Sequence, residues 1–143
     1  MSTETPDVIE SIEVRNPADG TVVGHVPNDS PDIVAAKVRA LRQAQPAWES
    51  LGPKGRKRWL LKLQEWVLDN SERINDVLQS ETGKSRVDAS FEPIVTADLI
   101  NYWSSNAAKF LADRQPRSHG PLGMVKKLET VYRPYPVVGV VTP

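Results

Sequence analysis

The sequence predicts an α/β chain laid out as a hairpin, three helices and two further strands, and three observations carry that reading. Residues 12–26 alternate apolar and polar side chains on either side of an Asn-Pro-Ala-Asp-Gly turn. Residues 31–113 repeat apolar side chains at helical spacing, and the chain closes on the valine-rich run "RPYPVVGVVTP". Alternation of period two marks half-buried strands, a spacing of three to four residues marks amphipathic helices, and short apolar runs mark strands covered on both faces.

Residues 1–11 read as a disordered polar leader. Ile12 and Val14 then alternate with polar residues, Asp19-Gly20 supplies the turn, and Val22, Val23 and Val26 resume the pattern. Ser30 fits the N-cap of the first helix and Pro31 its first position, where a missing N–H costs little. Val34, Val38, Leu41, Ala44 and Trp48 form its stripe, and Pro46 is expected to end or distort its last turn. The second helix is expected from about residue 54 to 81, with Trp59, Leu60, Leu63, Trp66 and Val67 on one side and a possible division at Asn70-Ser71. Gly83 fits the left-handed position that closes a helix. The third helix spans 87–113, its apolar side carrying Phe91, Ile94, Val95, Leu99, Tyr102, Trp103 and Phe110. Pro93 fits there either as a first-turn residue, if the helix starts at Asp88 or Ser90, or as a kink. Residues 124–134 alternate like an exposed strand, and Val137–Val141 read as a buried one.

Composition narrows the chemistry. The 143 residues make one domain's worth of chain, with 39% hydrophobic and 25% charged residues. Eighteen basic and eighteen acidic residues cancel, so no net field favours nucleic acid or an anionic membrane. There is no cysteine, which removes disulfides, thiolate metal sites and a thiol nucleophile from these residues. No secretory signal or apolar span is visible, and a cytoplasmic location is expected.

Each candidate constellation has a plainer reading. Gly83-Lys84-Ser85 looks like the tail of a phosphate-binding loop, but Leu78 stands where the motif needs another glycine, and a helix, not a strand, leads in. Lys54, Arg56, Lys57 and Arg58 cluster as a nucleic-acid site would, yet read better as the solvated first turn of a helix. His25 and His119 have no metal-ligand spacing. Glu81 and Glu92 serve no evident nucleophile, and Ser85, Ser90, Ser104 and Ser105 have no evident base. Trp48, Trp59, Trp66 and Trp103 all fall on helical stripes and read as core. No catalytic residue and no metal site is assigned.

Taken in order, five segments resemble the N-terminal part of the NAD(P)-dependent aldehyde dehydrogenases. "NPADGTVVGHVP" looks like that family's opening hairpin, and "AAKVRALRQAQPAW" is similar to its first helix. "GRKRWLLKLQEWV" resembles its Arg-x-x-x-Leu-x-x-Leu helix, with Arg56 or Arg58 as the arginine. "QSETGK" matches its Glu-x-Gly-Lys helix end through Glu81, Gly83 and Lys84, and "RPYPVVGVVTP" resembles the lead into its Pro-Trp-Asn segment. Pro136 departs from the family's usual glycine.

The resemblance implies an aldehyde dehydrogenase-like α/β fold that is incomplete here. Residues 12–113 would flank the cofactor-binding domain, 114–134 would be a loop and oligomerisation-arm strand, and 135–143 the first strand of the cofactor-binding domain. It implies oxidation of an aldehyde to a carboxylic acid with NAD or NADP, in a homo-oligomer, through a cysteine nucleophile, a glutamate base and an asparagine that holds the oxyanion. All three would lie beyond Pro143, so the chain is expected to be catalytically silent and to bind no dinucleotide by itself. Val141, Thr142 and Pro143 match positions lining the family's dinucleotide cleft. The alternative reading is a helical interaction module that docks on a partner by strand addition. Helices shaped against a missing sheet would expose apolar patches and leave a marginal or molten fragment.

Overall fold

The structure, a computed structural model, describes residues 11–117, 119–121 and 125–141. Its elements are β1 (Ser11–Arg15), β2 (Val22–Pro27), α1 (Pro31–Ser50), α2 (Gly52–Asp69), α3 (Ser71–Thr82) and α4 (Arg86–Phe110). The described residues thus hold one hairpin and four helices, which is consistent with part of an α/β fold.

β1 and β2 pair antiparallel, from Ser11 opposite Pro27 to Arg15 opposite Val22, with an irregularity between Val14 and Arg15. Ser11 is therefore the first strand residue, where the sequence placed the end of a leader; residues 1–10 lie outside the described residues. The turn is built from side-chain oxygens that imitate backbone turns. Asn16 Oδ1 accepts from Ala18 N at 2.9 Å, and Gly20 adopts a φ of 76°.

Ser30 caps α1 as expected, its hydroxyl accepting from Ile33 N at 3.4 Å. Pro46 neither ends nor shortens this helix, which continues to Ser50. A proline there removes one helix hydrogen bond and crowds the carbonyl one turn back, and α1 continues in spite of both. The division at Asn70 is real: α2 stops at Asp69, Asn70 takes φ −104° and ψ 14°, and its Nδ2 donates to Trp66 O at 2.8 Å. Gly83 closes α3 in the left-handed region at φ 69°.

α4 departs most from expectation. It starts at Arg86 and stops at Phe110, so Pro93 lies in its second turn, buried inside the helix. The residues it buries are Ala89, Pro93, Ala97 and Ser104. Their spacing of about one turn or its multiples makes a stripe of small side chains, along which α4 packs most extensively on α2 and then on α3. Gln64 Nε2 of α2 reaches across to Ala97 O at 2.9 Å. Small residues let two helix backbones approach closely, and Ala89 is fully buried as a result.

The large apolar side chains expected in the core face the other way. Phe91 is 59% exposed and Trp103 is 57% exposed, and Trp48, Trp59 and Trp66 are also exposed. The tryptophan-core expectation is therefore corrected. Val67 of the expected α2 stripe is buried, α4 turns its small residues inward, and most of the bulkier stripe residues are left open among the described residues. Tyr102, Trp103 and Phe110 cluster among themselves, with ring centroids 5.2 to 6.3 Å apart.

The two late strands do not form among the described residues. The segment expected as a strand over 124–134, whose Met124 is outside the described residues, contributes one antiparallel bridge between Arg114 and Thr130, with N–O distances of 3.1 and 2.8 Å. Residues 131–141 are not in a ladder, and Val138, Val140 and Val141 are exposed. A strand is held by hydrogen bonds to a neighbouring strand, and no described strand runs alongside this one.

Candidate functional site

Val141, the one described member of the expected dinucleotide-lining set, sits at the end of the 131–141 segment. It is 96% exposed. Thr142 and Pro143 lie outside the described residues. Among the described residues, Val141 lines none of the three grooves described below.

The residues leading to Val141 do make a surface. Pro134 to Val138 lie beside α1 and form one wall of an open, mainly apolar groove of about 520 Å³, opposite Leu41, Ala44 and Trp48. Glu49 and Arg56 give it a polar end, and Gln45 Nε2 donates to Glu49 Oε2 at 2.9 Å. A smaller groove of about 280 Å³ adjoins it at the start of α2, where Arg56 and Arg133 stand near Glu49. A third, of about 420 Å³, is polar and runs between the hairpin turn and the end of α3, lined by Asn16, Asp76, Gln79 and Lys84.

The phosphate-loop lookalike resolves into three ordinary roles. Gly83 closes α3, Lys84 Nζ pairs with Glu92 Oε1 at 2.6 Å, and Ser85 caps α4 by accepting from Asp88 N at 3.1 Å. Three members of the basic cluster are similarly engaged. Lys57 Nζ donates to Ser105 Oγ at 3.1 Å, Arg56 Nη1 to Trp48 O at 3.4 Å, and Arg58 lies 5.9 Å from the Trp59 ring centroid. Ser90 Oγ donates to Val87 O at 2.7 Å and Ser104 Oγ to Asn101 O at 3.2 Å, so both hydroxyls serve the helix that carries them. His25 faces Glu13 in the hairpin register, and Glu81 is exposed near the end of α3. Among the described residues no three potential ligands gather for a metal ion.

One group that sequence reasoning passed over is Arg86. Its guanidinium donates to Asp76 and Glu72, and to Gln79 Oε1 at 3.1 Å. The Asp76 hydrogen bond raises its pKa above the usual arginine value; desolvation opposes this, and Glu72 adds a further, smaller rise. The signal was present: Glu72, Asp76 and Gln79 fall one turn apart on α3, and an arginine opens the next helix. The other shifted group is Asp19, whose carboxyl is held below the ordinary value by hydrogen bonds from the Thr21 amide and hydroxyl. Both shifts arise from hydrogen bonds made at joints of the fold. Asn75 is 3% exposed, and its Oδ1 has no hydrogen-bond partner among the described residues.

A sequence model described as the aldehyde dehydrogenase family matches residues 4–143. The chain belongs to that family. It is 29% identical over 134 residues to a glutarate-semialdehyde dehydrogenase of Pseudomonas putida, covering 94% of this chain and 27% of that protein. It is 30% identical over 135 residues to a 4,4'-diapolycopene aldehyde oxidase of a Methylomonas species, covering 93% of this chain and 25% of that one. In three dimensions it is similar to the lactaldehyde dehydrogenase of Escherichia coli, with a TM-score of 0.71 and 28% identity over 78% of this chain and 23% of the other. An NAD-dependent benzaldehyde dehydrogenase from Corynebacterium glutamicum, at 22% identity and a TM-score of 0.70, shares the fold. This aldehyde dehydrogenase-family chain spans about a quarter of the length of the curated relatives it matches.

Proposed function

We propose that these residues form the N-terminal portion of an enzyme that oxidises an aldehyde to a carboxylic acid with NAD or NADP. The observation that carries this is the family match running almost the whole length of the chain, from residue 4 to 143. In this reading residues 12–113 flank the cofactor-binding domain, 114–134 lead through an oligomerisation arm, and 135–143 enter the first strand of the cofactor-binding domain. The exposure of Val138, Val140 and Val141 supports it, because parallel strands of such domains are apolar on both faces and are covered by neighbours.

The 143 residues contain no cysteine, so the thiolate nucleophile of the proposed reaction is not among them. The dinucleotide, when bound, supplies the hydride acceptor. The part of this chain in the chemistry is then structural: the segment through Val141 would carry Thr142 and Pro143 to the edge of the dinucleotide cleft. The assembled enzyme is proposed to be a homo-oligomer in the cytoplasm.

The test is an absorbance assay for reduced dinucleotide, with NAD or NADP and a panel of aldehydes. The 143-residue chain alone is expected to show no turnover. The same residues joined to the remaining three-quarters of a family member are expected to support it. Turnover by the chain alone, or an inert joined protein that is folded, contradicts the proposal.

A further inference from the structure

The hairpin turn holds a reactive dipeptide, Asp19-Gly20, in an unreactive arrangement. An aspartyl side chain is open to attack by the amide nitrogen of the next residue, and glycine obstructs that attack least because it has no Cβ. The site is accessible: Asp19 and Gly20 are exposed, and a Cβ placed on Gly20 would meet nothing within 4 Å. Water and the moving side chain both have room.

Three features oppose the reaction. Asp19 Oδ1 accepts from Thr21 N at 2.9 Å and from Thr21 Oγ1 at 2.7 Å, which ties the carboxyl to the residue beyond its attacker. Gly20 N, the would-be nucleophile, donates to Asn16 O at 2.8 Å. Asn16 N donates to Thr21 O at 2.9 Å, which locks the turn from outside. We propose that Asp19-Gly20 is a latent site of succinimide and isoaspartate formation, latched by the Thr21 hydroxyl and amide and released when the turn opens.

The chemistry balances without any added reagent. The Gly20 nitrogen bonds to the Asp19 side-chain carbonyl carbon, the C–OH bond breaks, and water leaves with the hydroxyl and the amide proton. Water then adds to either ring carbonyl. Addition at the main-chain carbonyl leaves the backbone running through the side chain, as isoaspartate. Attack needs the protonated carboxyl, since a carboxylate is a poor electrophile. The two Thr21 donors favour the ionised form and hold the Asp19 pKa below its ordinary value. In the folded turn, protonation is therefore displaced to lower pH.

The lesion would be felt beyond the turn. Isoaspartate lengthens the backbone between Asn16 and Thr21 and breaks their register. Pro17, in the same turn, sits so close to the α3 end that a methyl on Gly83 would lie 3.1 Å from Pro17 Cγ. The modification thus loosens the hairpin from the α3–α4 joint.

The test follows isoaspartate at this site by chromatographic peptide mapping and mass spectrometry, in the folded 143-residue chain and in the same chain held in denaturant. Folded wild type is expected to convert more slowly than denatured chain. Thr21→Val, which removes the hydroxyl, should speed conversion in folded protein about fivefold, the factor that one average hydrogen bond represents. Thr21→Ser, which keeps the hydroxyl, should stay close to wild type. The rate in folded wild type should also begin to rise at a lower pH than in denatured chain. Equal rates for folded and denatured wild type, equal rates for Thr21→Val and wild type, or coincident pH profiles overturn the proposal.

Discussion

Between Gln79 and Asp88 the backbone changes direction with its needs met by nearby residues. Gln79 O receives the Gly83 amide, Gly83 takes the left-handed turn, Lys84 pairs with Glu92, and Ser85 caps the next helix. Arg86 then ties that helix back to Glu72, Asp76 and Gln79. Between Arg133 and Val141 the chain is more apolar, yet it makes no ladder among the described residues, and Val138, Val140 and Val141 stand exposed. Helical structure is closed within its own segment, whereas a strand borrows its hydrogen bonds from a neighbour. Apolar content alone therefore does not tell which part of a chain is ordered by itself.

This contrast can be broken at its strong end first. Ala97→Asp puts a carboxylate into the buried stripe between α2 and α4, and should cost about 3 kcal/mol or more. Urea unfolding followed by far-ultraviolet circular dichroism would show it as a large loss of midpoint. Gly83→Val forces a β-branched residue into a φ of 69° against Pro17, and should cost about 1–2 kcal/mol in the same measurement. Ser85→Ala removes the α4 cap and should cost about 1 kcal/mol, the smallest change of the three. A reversed order would mean that the joint between α3 and α4, not the α2–α4 packing, limits the stability of the helical part.

The local features were legible in the sequence because their causes are local. Ser30-Pro31, the Asp19-Gly20 turn, the division at Asn70 and the stop at Gly83 each follow from one or two side chains and their preferred backbone angles. The inward face of α4 was not legible. Its large apolar stripe and its small one both have helical spacing, and the reading favoured bulk, while the structure packs α2 and α4 through Ala89, Pro93 and Ala97. Of the two places open to Pro93, the first turn is excluded because α4 starts at Arg86, and the proline lies inside the helix. Of the candidate site, the lead-in residues were visible as a strand pattern, but whether such a pattern is a strand depends on partners that no residue of the segment encodes.

The most direct test of this account is amide hydrogen exchange on the 143-residue chain, read residue by residue. The account predicts protection through the middle of α4, from Ala89 to Ser104, and across the facing turns of α2, with residues 133–141 exchanging as an unstructured peptide does. Protection of Val137 to Val141 equal to that of α4 would contradict it, because the segment would then be holding its own structure without the sheet that it is proposed to enter.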